Sequence, residues 1–221
     1  MPPWSPIAPN PRRAAATGGI CLGLLARPRG KFTIVSTSIA SSFLVASPTL
    51  TCPFFNHSLV FMVEHDVEGS FGFVVNRPSD LPVESLLDEL GVPASEAATS
   101  IPVHIGGPVA PQTGWILFER EPGEALENAL PLGETLGLTA SLEFFRELAA
   151  REERPRALLM LGYSGWGPGQ LESELKEGSW LPVDYSPELL FETPPDQRWR
   201  AALRSLGVDP AWVVGRSVPS A

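Results

Sequence analysis

The sequence predicts an α+β fold: a compact single domain in which three or four helices flank a mixed β-sheet. Three observations carry this expectation. Apolar runs of strand length are cut by proline and glycine. Segments with helical spacing stand among them without strict βαβ alternation. No repeat and no interior linker divides the 221 residues, a length that suits one large domain.

The elements follow in order. Phe43–Ser47 is a short apolar strand stopped by Pro48. Leu59–His65 and Phe71–Asn76 are two further strands, and the turn Asp66–Gly69 joins them as a β-hairpin. Both runs are apolar almost throughout, so both faces should be covered. Pro82–Leu90 is a helix, with Val83, Leu86, Leu87 and Leu90 on one side and Gly91 at its stop. Val92–Ser100 reads as a polar loop. Pro102–Ile105 and Trp115–Glu119 are strands, and Glu121–Gly137 is a loop-rich region without a clear pattern. Thr139 is the expected cap of a helix over Ala140–Ala150, with Leu142, Phe145 and Leu148 inward. Arg156–Leu161 is a continuous apolar strand, expected to be central. Gly162–Gly169 reads as a glycine-rich turn, Gln170–Glu177 as a helix and Ser179–Val183 as a strand. Pro195–Leu206 is a last helix, with Trp199, Ala202, Leu203 and Leu206 inward.

Composition separates the first 42 residues from the rest. They hold five basic side chains, no acidic one, and prolines at 2, 3, 6, 9, 11 and 28. Residues 43–221 carry the remaining 11 basic and all 25 acidic residues, a charge near −14. Residues 1–42 therefore read as a disordered or mis-assigned N-terminal extension, and residues 43–221 as the domain. A targeting segment is the lesser alternative. Its apolar stretch, Ala14–Ala26, is broken by Thr17-Gly18-Gly19, and no small-residue cleavage site follows. The acidic body repels phosphate backbones and argues against direct nucleic-acid binding, which leaves an unknown small molecule or a protein as partner. No apolar run reaches the length of a membrane-spanning helix. A lone body cysteine, Cys52, suits a reducing, cytoplasmic setting, and is expected to be a small buried residue. His57, His65 and His104 show no paired metal-ligand spacing, so no metal and no cofactor is expected.

Three patterns invite chemistry. Gly162-Tyr163-Ser164-Gly165-Trp166 sits between a strand and a helix, where a nucleophile elbow would lie. The elbow needs glycine two residues after the serine, and Trp166 stands there. Gly165–Gln170 enters a helix whose N-terminus could hold an anion, yet Glu172 and Glu174 follow and no Gly-Lys-Ser/Thr does. Third, Glu64, His65-Asp66 and Asn76-Arg77 flank one hairpin. A histidine beside a carboxylate can serve as a general base, and an arginine can clamp an anion. The plainer alternative is a turn-capping Asp66, a satisfied His65 and a surface Arg77. Gly106-Gly107-Pro108 is a tight turn or a place where a ligand approaches backbone.

The order of these pieces resembles the AlgH/YqgE family. The resemblance rests on FLVASP at Phe43–Pro48, then H-D-x-x-G-x-x-G-x-x-x-N-R-P over His65–Pro78. Next come G-G-P-V at Gly106–Val109 and G-Y-x-G-W-x-x-G-Q-L-E over Gly162–Glu172. It implies a barrel-like sheet, a cytosolic setting, no agreed activity, and the label of transcriptional regulator in alginate-producing bacteria. No helix-turn-helix pattern accompanies that label here. Two functions stay open. One is a regulatory or small-ligand-binding module without catalysis. The other is a hydrolase-like enzyme using His65 and Asp66, with Arg77 as anion clamp. The ligand-binding candidates are His65, Asp66, Asn76, Arg77, Gly106, Gly107, Tyr163, Trp166 and Gln170.

Overall fold

A computed structural model describes residues 39–124 and 128–209. The expected N-terminal extension lies almost wholly outside the described residues. Nine strands of the described residues form one curled, half-barrel sheet. They are β1 (Phe43–Ala46), β2 (Leu59–Asp66), β3 (Gly69–Val74), β4 (Val103–Ile105) and β5 (Val109–Glu119). β6 (Leu130–Leu132), β7 (Leu136–Thr139), β8 (Ala157–Trp166) and β9 (Trp180–Val183) follow. The path runs β6-β7-β5-β8-β3-β2-β1-β9, antiparallel at every step, and β4 adds one parallel pairing to β8. The sheet is thus mixed, as expected. Among the described residues five helices accompany it: α1 (Val83–Leu90), α2 (Glu96–Ser100), α3 (Leu142–Ala149), α4 (Gln170–Lys176) and α5 (Pro195–Ser205). A π-helical turn, Glu188–Glu192, precedes α5.

Strand alternation divides the core. On β8, Ala157 and Leu159 face a cluster with α1, α2 and α3, while Leu158 and Met160 face the larger core under α4 and α5. On β5, Ile116 and Phe118 take the first side and Leu117 the second. A period of two places successive residues on opposite faces, so one apolar run serves two cores. β2 is buried along most of its length for the same reason. The terminal strands β6 and β9 each carry an exposed proline, Pro131 and Pro182.

The structure corrects several sequence expectations. The stretch Val92–Ser100 contains α2, because the Ser95 side chain accepts a hydrogen bond from Ala98 N at 3.0 Å and caps it. Ser141, not Thr139, caps α3, accepting from Phe144 N at 3.2 Å. Thr139 ends β7 and donates to Asn128 O. The loop-rich region contributes the β6–β7 hairpin. Leu206 is 41% exposed rather than inward, and Cys52 is half-buried rather than core.

The largest correction is at Gly162. The expected turn over Gly162–Gly169 is mostly strand, since β8 continues to Trp166. Gly162 holds φ at 68°, a left-handed value that only glycine adopts without strain. Before it, β8 pairs with β4 and β5; just beyond it Tyr163 still pairs with Val109 of β5, and Ser164–Trp166 pair with β3. Gly162 is the pivot that passes one strand from the first group of strands to the second.

Candidate functional site

At the turn of the β2–β3 hairpin, Asp66 Oδ1 accepts hydrogen bonds from Glu68 N at 2.7 Å and Gly69 N at 3.1 Å. The carboxylate closes the turn. His65 is buried, with Nδ1 bonded to Ser70 Oγ at 2.7 Å and Nε2 3.9 Å from Glu172 Oε1. Burial, and then the charge of Asp66, push the Glu64 carboxyl above its ordinary range.

Across the sheet, β8 runs into α4 through a polar knot. Glu174 is buried, and its Oε2 accepts from the indole N–H of Trp166 at 2.9 Å and of Trp180 at 2.8 Å. Its Oε1 accepts from Gln170 Nε2 at 2.9 Å, while Gln170 Oε1 accepts from Gly167 N at 3.1 Å. The carboxylate therefore binds two strands to the helix between them. Ser164 is fully buried and donates to Gly106 O at 3.1 Å. That position withholds the nucleophile of an elbow from any substrate. Tyr163 is half-buried against Phe71, and burial raises its phenol pKa.

Gly106 and Gly107 pass close to β8. A Cβ at Gly107 would lie 2.0 Å from the carbonyl carbon of Tyr163, and one at Gly106 would lie 2.5 Å from Gly162 O. Glycine is required there by backbone approaching backbone.

Asn76 and Arg77 stand at the opposite end of the hairpin. Asn76 Oδ1 accepts from Leu59 N and its Nδ2 donates to His57 O, both at 2.8 Å. The Arg77 guanidinium lies 4.7 Å from the centre of the Phe54 ring, and burial lowers its pKa. The nine sequence candidates consequently do not gather around one cleft. His65, Trp166 and Gln170 share the end of the sheet nearest the turn. Asn76 and Arg77 share the other end.

A surface cleft of ≈ 650 Å³ opens beside Asn76. It lies between the loop bearing His57 and helix α5, and its walls include Asp196, Gln197, Trp199, Arg200 and Arg204. Trp199 fixes the helix, donating its indole N–H to Ala46 O at 2.8 Å. The His57 ring meets Trp199 edge-on, with centroids 4.3 Å apart. Deeper in, Arg198 donates to Val75 O and, at 2.9 Å, to Thr193 O, and burial holds its pKa down to about 10. His104, on β4, is fully buried, and neither ring nitrogen makes a hydrogen bond of normal geometry among the described residues. Burial foremost, then the charge of Arg198, hold its pKa down to about 4, with the Pro102 carbonyl acting weakly the other way.

Sequence reasoning missed His57, Arg200, Arg204 and the knot at Glu174. The spacing of Gln170 and Glu174, one helical turn apart between two tryptophans, was a usable signal for the knot. The arginines looked like the polar face of a helix, which they are.

Among the described residues no group of three or more His, Cys, Asp or Glu is placed to hold a metal ion. No helix among them is long and apolar enough to cross a membrane. Fold and site define a class: a single-domain α+β protein with a curled, half-barrel sheet flanked by several helices. The chain belongs to the AlgH-like family, whose model matches residues 43–211. It is 43% identical over 178 residues to a UPF0301 protein of Anaeromyxobacter dehalogenans, covering 78% of this chain and 90% of that protein. A UPF0301 protein of Nitrosospira multiformis is 40% identical over 175 residues, covering 79% and 93%. The solution structure of the AlgH protein from Pseudomonas aeruginosa superposes with a TM-score of 0.65 at 32% identity, covering 84% of this chain and 98% of that one. A crystal structure of a Corynebacterium diphtheriae protein shares the fold, with a TM-score of 0.61 at 22% identity and coverage of 77% and 88%.

Proposed function

We propose that the domain is a small-ligand-binding module that works without catalysis, with the cleft between the His57 loop and α5 as its site. The observation that supports this is the contrast between the cleft and the motif residues. The cleft is of small-molecule size, and His57, Asp196, Gln197, Arg200 and Arg204 in its lining are exposed and can meet a ligand. The catalytic candidates are bound into the structure: Asp66 in its turn, Ser164 on Gly106 O, and Arg77 over Phe54 at the other end of the hairpin from His65. A general base needs reach to a substrate proton, and a His–Asp pair with an arginine clamp needs all three at one place. A regulatory role would follow from occupancy of the cleft changing the contacts of α5. The acidic body favours a small molecule or a protein as partner over nucleic acid.

The test is a thermal-shift screen of sugars, nucleosides, carboxylates and phosphate esters on the full chain. A ligand that prefers the native state raises the midpoint. The expected result is a shift in the wild type that shrinks in His57→Ala and Arg200→Ala, with no ligand turned over. No shift with any compound, or product formation that depends on His65, would defeat the proposal.

A further inference from the structure

The charge of the cleft is opposite to that of the body around it. Residues 43–221 hold 25 acidic and 11 basic side chains, so guanidinium groups have carboxylates to spare. Most arginines of the described residues are engaged. Arg120 and Arg146 donate to backbone carbonyls, Arg154 pairs with Glu96, and Arg156 pairs with Glu119 and Glu192. Arg77 covers the Phe54 ring and Arg198 is buried on backbone oxygens. Arg200 and Arg204 are both exposed, and among the described residues neither guanidinium has an ion-pair or hydrogen-bond partner. Only Arg151, at the end of α3 and away from the cleft, matches them.

These two arginines are four residues apart on α5, so they stand on one face, a single turn apart. Across the cleft stands His57, whose placement is constrained from two directions. Its backbone holds φ at 55°, a strained value for a residue with a Cβ, and Asn76 binds its carbonyl. Its ring rests on the anchored indole of Trp199. One carboxylate, Asp196, shares the wall of this cleft with the two guanidinium groups, and Asp209 borders Arg204 in an adjoining hollow.

We propose that this cleft takes a small phosphomonoester, its phosphate held between Arg200 and Arg204 with the His57 imidazole as a further donor. The inference rests on the reading of the cleft as the binding site and adds the chemistry of its ligand. Guanidinium forks match phosphate oxygens and bind them through charge-assisted hydrogen bonds. Two of them neutralise a dianionic head. The volume suits a small molecule, and the surrounding negative field turns away a polynucleotide. Asp196 offers an acceptor for a hydroxyl of the organic part.

Calorimetric titration of the full chain with inorganic phosphate tests this, against sodium chloride at matched ionic strength. A second arm uses malonate. The expected result is saturable phosphate binding, tighter than malonate and absent with chloride. Arg200→Gln or Arg204→Gln should each weaken it by about tenfold, the loss of one charged hydrogen-bonding group. Arg151→Gln should leave it unchanged. Equal binding in the double Arg200→Gln/Arg204→Gln variant, or no binding beyond chloride, overturns the proposal. Malonate binding more tightly than phosphate overturns it in favour of a dicarboxylate. If adenosine or glucose raises the midpoint through His57 while phosphate does nothing, the phosphate assignment falls and the binding-module reading stands. If no compound shifts the protein, both fall.

Discussion

Replacing His104 with leucine should remove an acid-sensitive part of the folding free energy. The imidazole is fully buried without a normal hydrogen bond, and its pKa is held near 4 against 6.5 in the unfolded chain. Between those values the unfolded state binds a proton that the folded state refuses. Stability is therefore intact above pH 6.5 and falls as the pH drops toward 4. Linkage makes the loss about 2 kcal/mol at pH 5 and about 3 kcal/mol at pH 4. Leucine has no proton to bind and no ring nitrogen to leave unpaired, so stability at neutral pH should hold or rise. The assay is urea unfolding followed by tryptophan fluorescence, on wild type and His104→Leu, at neutral pH and at pH 5. Carboxyl groups titrate in the same range, and Glu64, with its raised pKa, acts with the opposite sign. Their contributions are common to both proteins and cancel in the difference. If both proteins lose the same free energy on acidification, the reasoning about His104 is wrong.

Glu174→Ala leaves two buried indole N–H groups without an acceptor, and should cost about 3 kcal/mol or more, read as a lowered denaturant midpoint. Gly107→Ala drives a methyl into the Tyr163 carbonyl and should cost about 3 kcal/mol or prevent folding, seen as loss of soluble, cooperatively melting protein. Ser164→Ala should cost only about 1 kcal/mol, the bond to Gly106 O. Any hydrolytic activity that this variant abolishes would contradict the structural role given to Ser164. Asn76→Ala removes both ties across the hairpin end and should cost about 1–2 kcal/mol, measured by thermal melting.

Much of the fold was legible in the sequence because local signals and tertiary contacts agreed. β1, β2 and β3 are apolar runs between turn residues, and α1 and α5 have their apolar faces in register with the core. The failures have physical reasons. Gly162 looks like a turn residue, yet here glycine lets a strand bend and lie against Gly107. That need is set by a segment over fifty residues away, which no local pattern records. Thr139 and Ser141 are both competent caps, and register on β5 decided between them. The family motifs located the polar knot but suggested a ligand, because a carboxylate gathering two indoles looks in sequence like exposed chemistry. The cleft was hidden for a different reason: Arg200 and Arg204 gain meaning only once the His57 loop is folded against them.

Pro131 and Pro182 bear on how the molecule behaves among its own copies. A half-barrel leaves two rims, and a rim of unpaired amides is a template on which another chain can lay a strand. Each terminal strand is three or four residues long and presents a proline ring where a hydrogen-bond donor would be. Each proline thus withholds one donor from an edge of the sheet among the described residues. An alanine at either proline would restore the missing donor, and with it a route to fibres that grow by edge addition in concentrated solution.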